Sequence, residues 1–136
     1  MVPSGRSLFL ALIAVQALHS AEEYVFRLYD VFPPARFLSG LIGPDRQIGF
    51  VIINVFVVLL GIWCYLWPVR RQWPVAVPLM WGWVLVELSN GIVHPAWSIA
   101  QRTYTPGTVT SVLFLPVAFL LGRQLSRRTR TMNSSF

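Results

Sequence analysis

The chain has 136 residues, of which 55% are hydrophobic and only 12% are charged, and its net charge of +6 includes eleven arginines and no lysine. A globule of this length has too little interior to bury so much apolar surface, so the composition argues against a soluble domain and favours lipid as the solvent. The arginines flank apolar segments instead of forming a basic face with interleaved aromatics, which argues against nucleic-acid binding, and the single cysteine excludes an intrachain disulfide.

The first predicted element is a membrane helix over residues 7–26. It begins with an apolar run, residues 8–18, and reaches spanning length only if it continues through HSAEE, residues 19–23. A secretory signal peptide is the alternative, because Arg6, the short apolar core and a small-residue site before Glu22 resemble one. A histidine fits poorly where that site expects a small residue, so we interpret the segment as a retained span.

A connection over residues 28–47 follows the first span, and its prolines interrupt any long helix. Within it, ARFLSGLI (residues 35–42) is apolar enough to lie at the membrane interface as a short lid. The second predicted span, residues 48–67, has the roughly 20 apolar residues that a bilayer core of about 30 Å requires.

The third predicted span, residues 74–97, is equally long but carries Glu87, Asn90 and His94. Pro95 lacks an amide proton and disfavours helical geometry at the residue before it. We therefore expect the third helix either to bend or to end at Pro95.

The fourth predicted span, residues 107–122, contains Pro116, which neighbouring helices can accommodate within a membrane. It leads into a basic tail, residues 123–136, which we expect to contact lipid head groups and to fray at its end. The chain is thus predicted to be one integral membrane domain, residues 1–136, with an all-α fold: a four-helix transmembrane bundle.

The arginines also predict the orientation of this bundle. With four spans, the N-terminus, the loop after the second span and the tail share one side, which holds seven of the eleven arginines. Since positively charged loops remain in the cytoplasm, we expect an integral protein of the cell membrane with both termini cytoplasmic. The expected partners are membrane lipids, no nucleic acid is expected, and a homo-oligomer remains open.

Two polar stripes interrupt the apolar pattern. Each helical residue advances by about 100°, so positions 19, 22 and 23 share roughly a 100° arc, and positions 87, 90 and 94 share roughly a 60° arc. Ionisable side chains that face hydrocarbon cost several kcal/mol each, so they turn toward the bundle interior and pair. Both stripes lie in the outer halves of parallel spans, and we expect them to face each other. Arg27 is a further candidate to neutralise Glu23.

Imidazoles and carboxylates in one place suit a divalent metal such as zinc, iron or manganese. Two histidines and one glutamate would leave one coordination position for water, and another glutamate could act as general base. The candidate metal ligands are His19, Glu22, Glu23, Glu87 and His94. The candidate catalytic residues are Glu22, Glu23, Asn90 and Tyr104, the last because it precedes the fourth span at the outer mouth of the site.

With these residues assembled, the chain resembles the HXXEE family of small bacterial integral membrane proteins. HSAEE matches the naming motif, NGIVH (residues 90–94) matches N-x-x-x-H, and YTPG (residues 104–107) matches Y-x-P-G. The resemblance implies a protein of the bacterial inner membrane whose function is unknown and whose polar motifs suggest an active site.

The resulting hypothesis is a membrane-embedded hydrolase that uses a divalent metal and acts on a lipid-like substrate from the outer leaflet. Two other functions remain open. One is a non-enzymatic membrane subunit whose polar centre only cross-links helices. The other is a proton- or ion-coupled carrier.

Overall fold

The computed structural model describes residues 5–133, and it describes side chains for residues 5–127. Within these residues the elements are six α-helices and one π-helical turn, and no strand is present, which confirms the all-α prediction. The ranges are α1 Gly5–Val25, α2 Leu28–Val31, α3 Pro33–Ile42, α4 Arg46–Cys64, the π turn Tyr65–Val69, α5 Ala76–Gln101 and α6 Thr108–Asn133.

Four of these helical segments are long and apolar enough to cross a membrane. They are Gly5–Val25, Arg46–Val69, Ala76–Gln101 and Thr108–Arg127. The predicted four-helix transmembrane bundle is therefore confirmed as an architecture. The side of the membrane on which the termini lie stays a prediction.

The outer surface of the bundle is apolar. On α4, for example, Ile52, Phe56 and Leu59 are 49%, 63% and 58% exposed. A continuous exposed surface of large apolar side chains is unfavourable in water and favourable against acyl chains. The structure thus agrees with a membrane location.

The core packs α1 and α5 against α6. Phe9 of α1 and Trp83 of α5 meet edge to face, with ring centroids 6.1 Å apart. Because lipid is as apolar as these side chains, close packing between helices supplies the stability that water exclusion supplies in soluble proteins. The fully buried apolar side chains include Phe9, Leu12, Phe114, Leu121 and Leu125.

Gly91 allows α5 to approach α6 closely. A Cβ atom at this position would lie 2.8 Å from Leu115 Cδ2 and 3.1 Å from the carbonyl oxygen of Ser111. Small residues at such crossings let membrane helices pack backbone to backbone. This crossing holds His94, one turn later, beside the beginning of α6.

The two membrane prolines do not end their helices. α5 continues past Pro95 to Gln101, so the alternative in which Pro95 ends the third helix is wrong. α6 continues through Pro116 to Asn133, beyond the predicted span, because arginine is a good helix former and the tail continues the same helix. Residues 123–133 of the predicted tail are therefore helical, and its last three residues, 134–136, lie outside the described residues.

The connection between the first two spans folds into α2 and α3. Asp45 ends it as the N-cap of α4, accepting hydrogen bonds from the backbone N–H groups of Gln47 at 2.9 Å and Ile48 at 3.2 Å. The side chain of Gln47 then donates to the Tyr24 hydroxyl at 2.9 Å, which ties the start of α4 to the end of α1. This hydrogen bond holds the first turn of α4 next to the last turn of α1, where the polar stripe of α1 lies.

Candidate functional site

α1 presents His19 and Glu23 on one face, one helical turn apart. Their side chains are buried, with residue exposures of 1% and 7%. Glu23 Oε1 lies 3.1 Å from His19 Nε2. α1 thus carries an imidazole and a carboxylate into the bundle interior, where they avoid the lipid.

α5 brings a second imidazole to the same carboxylate. His94 is 3% exposed, and its Nε2 lies 3.3 Å from Glu23 Oε1. The rings of His19 and His94 meet edge to face, with centroids 4.7 Å apart. One ligand atom from each of His19, Glu23 and His94 lies within 4.8 Å of the other two. We call these three residues the triad.

Hydrogen-bond polarity decides which nitrogen of each neutral imidazole carries the proton. His94 Nδ1 is 2.9 Å from the carbonyl oxygen of Pro106, which can only accept. His19 Nδ1 is 2.9 Å from Thr110 Oγ1. The Thr110 hydroxyl donates its single proton to Glu22 Oε2 at 2.6 Å and therefore accepts from His19. In both imidazoles Nδ1 is the donor, and Nε2 presents a lone pair to the middle of the triad.

The middle of the triad is consequently rich in electron pairs. His19 Nε2 is buried and makes no hydrogen bond of normal geometry to any described residue, although Glu23 Oε1 is near. Two imidazole lone pairs and a carboxylate oxygen repel one another unless a proton or a metal cation lies between them. Metal-bound histidines typically donate their other N–H to an oxygen acceptor, as both histidines do here. The donor set therefore fits a divalent metal.

Glu22, the middle residue of the motif, lies at the beginning of α6 and outside the triad. Its Oε1 accepts from the backbone N–H groups of Gly107 at 3.1 Å and Val109 at 3.2 Å, and its Oε2 accepts from that of Thr110 at 2.8 Å. The first N–H groups of a helix lack partners within the helix, and a carboxylate there also opposes the helix dipole. Glu22 thus caps α6 from another helix.

Tyr104 lies in the loop between α5 and α6, and its hydroxyl donates to Glu22. Its ring also meets Phe26 edge to face, with centroids 5.5 Å apart. Desolvation first, and then the Glu22 carboxylate, raise the pKa of Tyr104 to about 12. The hydroxyl therefore keeps its proton at neutral pH and holds the loop to α1.

Gly107 forms the roof of the triad. Its φ of +93° is accessible to glycine and strained for other residues. A Cβ atom there would lie 2.7 Å from His19 Cε1 and 3.0 Å from both Glu23 Cγ and His94 Cε1. The glycine of the Y-x-P-G motif is thus required twice, by backbone conformation and by space.

Glu87 and Asn90 form a separate, deeper pair. Glu87 is completely buried, and the Asn90 amide donates to its Oε2 at 3.1 Å. The side-chain amide of Gln16 lies 2.9 Å from Glu87 Oε1, which links α5 to α1. The lower part of the polar stripe on α5 is therefore a helix-to-helix contact.

The orientation of the Gln16 amide depends on a chain of hydrogen bonds toward α4. Asn54 donates to the carbonyl oxygen of Phe50 at 3.0 Å, so its own oxygen accepts from Ser20 Oγ at 2.6 Å. Ser20 has then used its proton and accepts from Gln16 Nε2 at 3.0 Å. The opposite Gln16 orientation would suit an ionised Glu87. It would, however, turn the amide oxygen toward the Ser20 hydroxyl oxygen, whose proton is already donated to Asn54. With this orientation, the contact between Gln16 and Glu87 is a hydrogen bond when Glu87 carries a proton.

The candidates predicted from sequence therefore divide into three groups. The structure brings His19, Glu23 and His94 together. It places Glu22 and Tyr104 at the beginning of α6, and Glu87 with Asn90 one layer below. Sequence reasoning missed Thr110, for which the only signal was a threonine in the first turn of the fourth span.

Arg27 and the connection between the first two spans lie differently around the site than the sequence predicts. Arg27 does not neutralise Glu23, because its side chain is 65% exposed and pairs with Asp30 at 2.7 Å. The residue of the connection that covers the site is Phe32, just before α3, whose ring lies 5.7 Å from that of His94 and 5.4 Å from that of Trp97. α3 itself packs on α4.

Comparisons with known proteins identify the family. The family model described as "Protein of unknown function with HXXEE motif" matches residues 10–121, a range that includes all three motifs. No curated protein and no solved structure matches the chain. The chain belongs to the HXXEE family of proteins of unknown function.

Proposed function

We propose that the triad is a divalent-metal site and that the protein is a membrane-embedded, metal-dependent hydrolase of a lipid-like substrate. The observation that carries the proposal is the convergence of the Nε2 atoms of His19 and His94 on one carboxylate oxygen, with distances of 3.1 Å and 3.3 Å to Glu23 Oε1. A structural cross-link between helices would be expected to place a proton donor opposite each acceptor.

The ligand set suits zinc. Two histidines and one glutamate, with one position open, form a zinc set used in hydrolysis. When bound, such a metal supplies a Lewis acid and a water that is activated at neutral pH. Two histidines and one carboxylate also suit ferrous iron, so elemental analysis, and not the ligand count, selects the metal.

The remaining residues of the site hold the triad in place. Thr110 and the Pro106 carbonyl orient the two imidazoles through their Nδ1–H groups. Glu22 holds Thr110 and is itself held by Tyr104, which makes Glu22 a positioning residue in this proposal. In this proposal Glu23 supplies the carboxylate ligand, because its Oε1 lies 3.1 Å and 3.3 Å from the two Nε2 atoms.

The surroundings of the triad suggest the substrate class. Phe32 and Phe114 lie against the two imidazoles, with centroid distances of 5.7 Å and 5.0 Å. The site is also enclosed by helices whose outer faces are apolar. A substrate that reaches it from the bilayer must itself be apolar over much of its length. An ester or amide lipid has this character.

The first test is the metal content of protein purified in detergent without a chelator. We expect about one divalent metal ion per chain. His94→Ala and Glu23→Gln should each reduce the content at least about tenfold while the helical circular-dichroism signal remains. Ser89→Ala is the matched control and should keep the metal. Ser89 is exposed on α5, and among the described residues its side chain bonds the Leu85 carbonyl alone, at 2.8 Å.

The second test is hydrolysis of an ester or amide lipid in mixed micelles. Metal-loaded wild-type protein should release product, and the two metal-free variants should not. Full activity without metal would exclude the metal-dependent hydrolase. Metal-free wild-type protein whose triad variants only lose thermal stability would instead support the non-enzymatic membrane subunit.

A further inference from the structure

A groove runs along the outside of the bundle between α1 and α4. Its volume is about 450 Å³. Ala21 lines the groove, whereas Glu23 belongs to the triad, and the two point about 200° apart on α1. The groove and the triad therefore lie on opposite faces of that helix. Apolar side chains of both helices form its walls, among them Ala17, Ala21, Val51, Val55 and Val58.

Asn54 of α4 is the amide that lines this groove, and it is only half-buried. One of its N–H groups donates to the carbonyl oxygen of Phe50 at 3.0 Å, and its Oδ1 accepts from Ser20 Oγ at 2.6 Å. A primary amide has a second N–H group, and its oxygen has a second lone pair. Among the described residues neither of these has a partner. Asn54 thus keeps one donor and one acceptor for a group outside the chain.

Asn54 also lies deep within its span. The candidate span is Arg46–Val69, and Asn54 is about 12 Å along the helix from its first residue. With this span of about 36 Å centred on a hydrocarbon core of about 30 Å, Asn54 lies about 9 Å inside the core. Acyl chains offer no hydrogen-bond partner there, and an unpaired polar group in hydrocarbon costs free energy. The remaining amide groups therefore call for a protein partner.

A second copy of the chain offers the matching groups at the same depth. Two copies inserted with the same orientation are related by a two-fold axis along the membrane normal, so their Asn54 residues lie at one level. An amide is complementary to itself across such an axis, because each N–H can donate to the other Oδ1. The pairing uses only the donor and the acceptor that Phe50 and Ser20 leave over.

The walls of the groove suit a parallel pair of α4 helices. Val51, Asn54, Val55 and Val58 share roughly a 100° arc of α4, so they can face one partner together. On the α1 side, Ala17 and Ala21 are exposed and one turn apart. Small residues at this spacing let a neighbouring membrane helix approach closely.

We propose that this groove is the interface of a homodimer in which the Asn54 amides of two copies donate to each other. Hydrogen-bond complementarity at one level of the membrane carries the proposal. The dimer does not depend on metal in the triad, because the two sites use opposite faces of α1. It therefore stands or falls independently of the proposed function.

The first test measures association of the full chain in phospholipid vesicles. Energy transfer between copies labelled at the N-terminus with a donor or an acceptor dye is followed as the protein is diluted with lipid. We expect saturable transfer that fits a monomer–dimer equilibrium. Transfer no greater than random proximity at every dilution would overturn the dimer. So would a monomer that retains a phospholipid in native mass spectrometry, since lipid would then fill the groove.

The second test locates the interface by disulfide cross-linking in the same vesicles. Val55→Cys should form a linked dimer on oxidation, and Val58→Cys is the second variant on the same wall. Phe56→Cys is the matched control, because Phe56 is 63% exposed at the same depth but lies about 100° away and outside the groove. The wild-type chain is the blank, since its single Cys64 is 1% exposed. Linked dimer from Phe56→Cys in the same yield as from the groove variants would overturn this interface.

The third test separates pairing between copies from the hydrogen bond within one copy. Asn54→Val removes both intermolecular bonds and should raise the dissociation constant of the dimer about tenfold. Ser20→Ala removes the bond between α1 and α4 but keeps the Asn54 amide, so it should dimerise like the wild-type chain. Equal effects of the two variants would mean that Asn54 only joins α1 to α4. Where Asn54→Val fails to fold, the cross-linking variants decide.

Discussion

At the scale of single residues, the motif His19-x-x-Glu22-Glu23 contributes side chains to two different sites. His19 and Glu23 join the triad, while Glu22 caps α6 and accepts the Thr110 hydroxyl proton at 2.6 Å. Adjacent helical residues point about 100° apart, so two neighbouring glutamates cannot both face one small site. The spacing of the motif thus directs His19 and Glu23 into the triad and Glu22 toward the first turn of α6.

Thr110 provides the residue-scale prediction. Thr110→Val keeps the shape of the side chain but removes the acceptor for His19 Nδ1–H, so the imidazole loses its fixed tautomer. We expect metal affinity to fall about 10- to 100-fold, measured by competition with a chromophoric chelator. Thr110→Ser keeps the hydroxyl and should restore the affinity. Equal affinities of the two variants would contradict the orienting role.

At the scale of elements, the site is completed by the beginning of α6 and the loop before it. This segment contributes the Pro106 carbonyl, the Gly107 backbone and the Thr110 hydroxyl. α1 and α5 alone would bring the imidazoles close without orienting them. The capping carboxylate of Glu22 therefore fixes the position of a whole helix as well as its first turn.

Gly107 provides the element-scale prediction. Gly107→Ala would force a side chain into a left-handed backbone and within 2.7 Å of His19 Cε1, so the start of α6 must move away from the triad. We expect a loss of stability of about 1–3 kcal/mol for the strain alone, measured by reversible unfolding in detergent.

The control for this prediction is Gly82→Ala. Gly82 lies within α5 with no atom within 4 Å of an added Cβ, and alanine has the higher helix propensity. Gly82→Ala should leave stability unchanged or raise it slightly. If Gly107→Ala also leaves the free energy of unfolding unchanged, Gly107 is not tightly packed against the triad.

At the scale of the whole molecule, polar groups are distributed in layers along an apolar bundle. The triad lies at one end, the chain from Glu87 through Gln16 and Ser20 to Asn54 joins three helices below it, and the arginines of α6 lie at the other end. Between them the packing is apolar and close. Interhelical hydrogen bonds of this kind set the register of helices that apolar packing alone would leave free to slide.

Glu87 provides the prediction at this scale. A glutamine there can donate to the Gln16 oxygen and accept from Asn90, as a protonated glutamate does, so Glu87→Gln should change stability by less than about 1 kcal/mol. Glu87→Ala leaves both partners unsatisfied and a cavity, and should cost about 2–4 kcal/mol. Equal destabilisation by the two variants, measured by unfolding in detergent, would show that Glu87 is ionised in the folded chain.

Part of the site could be read from sequence and part could not. The i, i+4 relation of His19 and Glu23 is visible in the chain, because it depends only on the helical repeat. The contact of either residue with His94 depends on how α5 crosses α6 at Gly91, and the role of Glu22 depends on where α6 begins in space. Arg27 was misassigned for a related reason, since α1 ends at Val25 and the left-handed backbone of Arg27 turns its side chain toward Asp30.

The sequence by itself determined that this chain is an all-α membrane protein with four spans, because long apolar runs can satisfy their backbone groups in lipid only as helices. It also determined the family, through three short motifs. Only the tertiary structure decided which motif residues meet, which imidazole nitrogen faces inward and which glutamate caps a helix. Such contacts join residues up to about 90 positions apart, and they depend on helix crossings that no local pattern encodes.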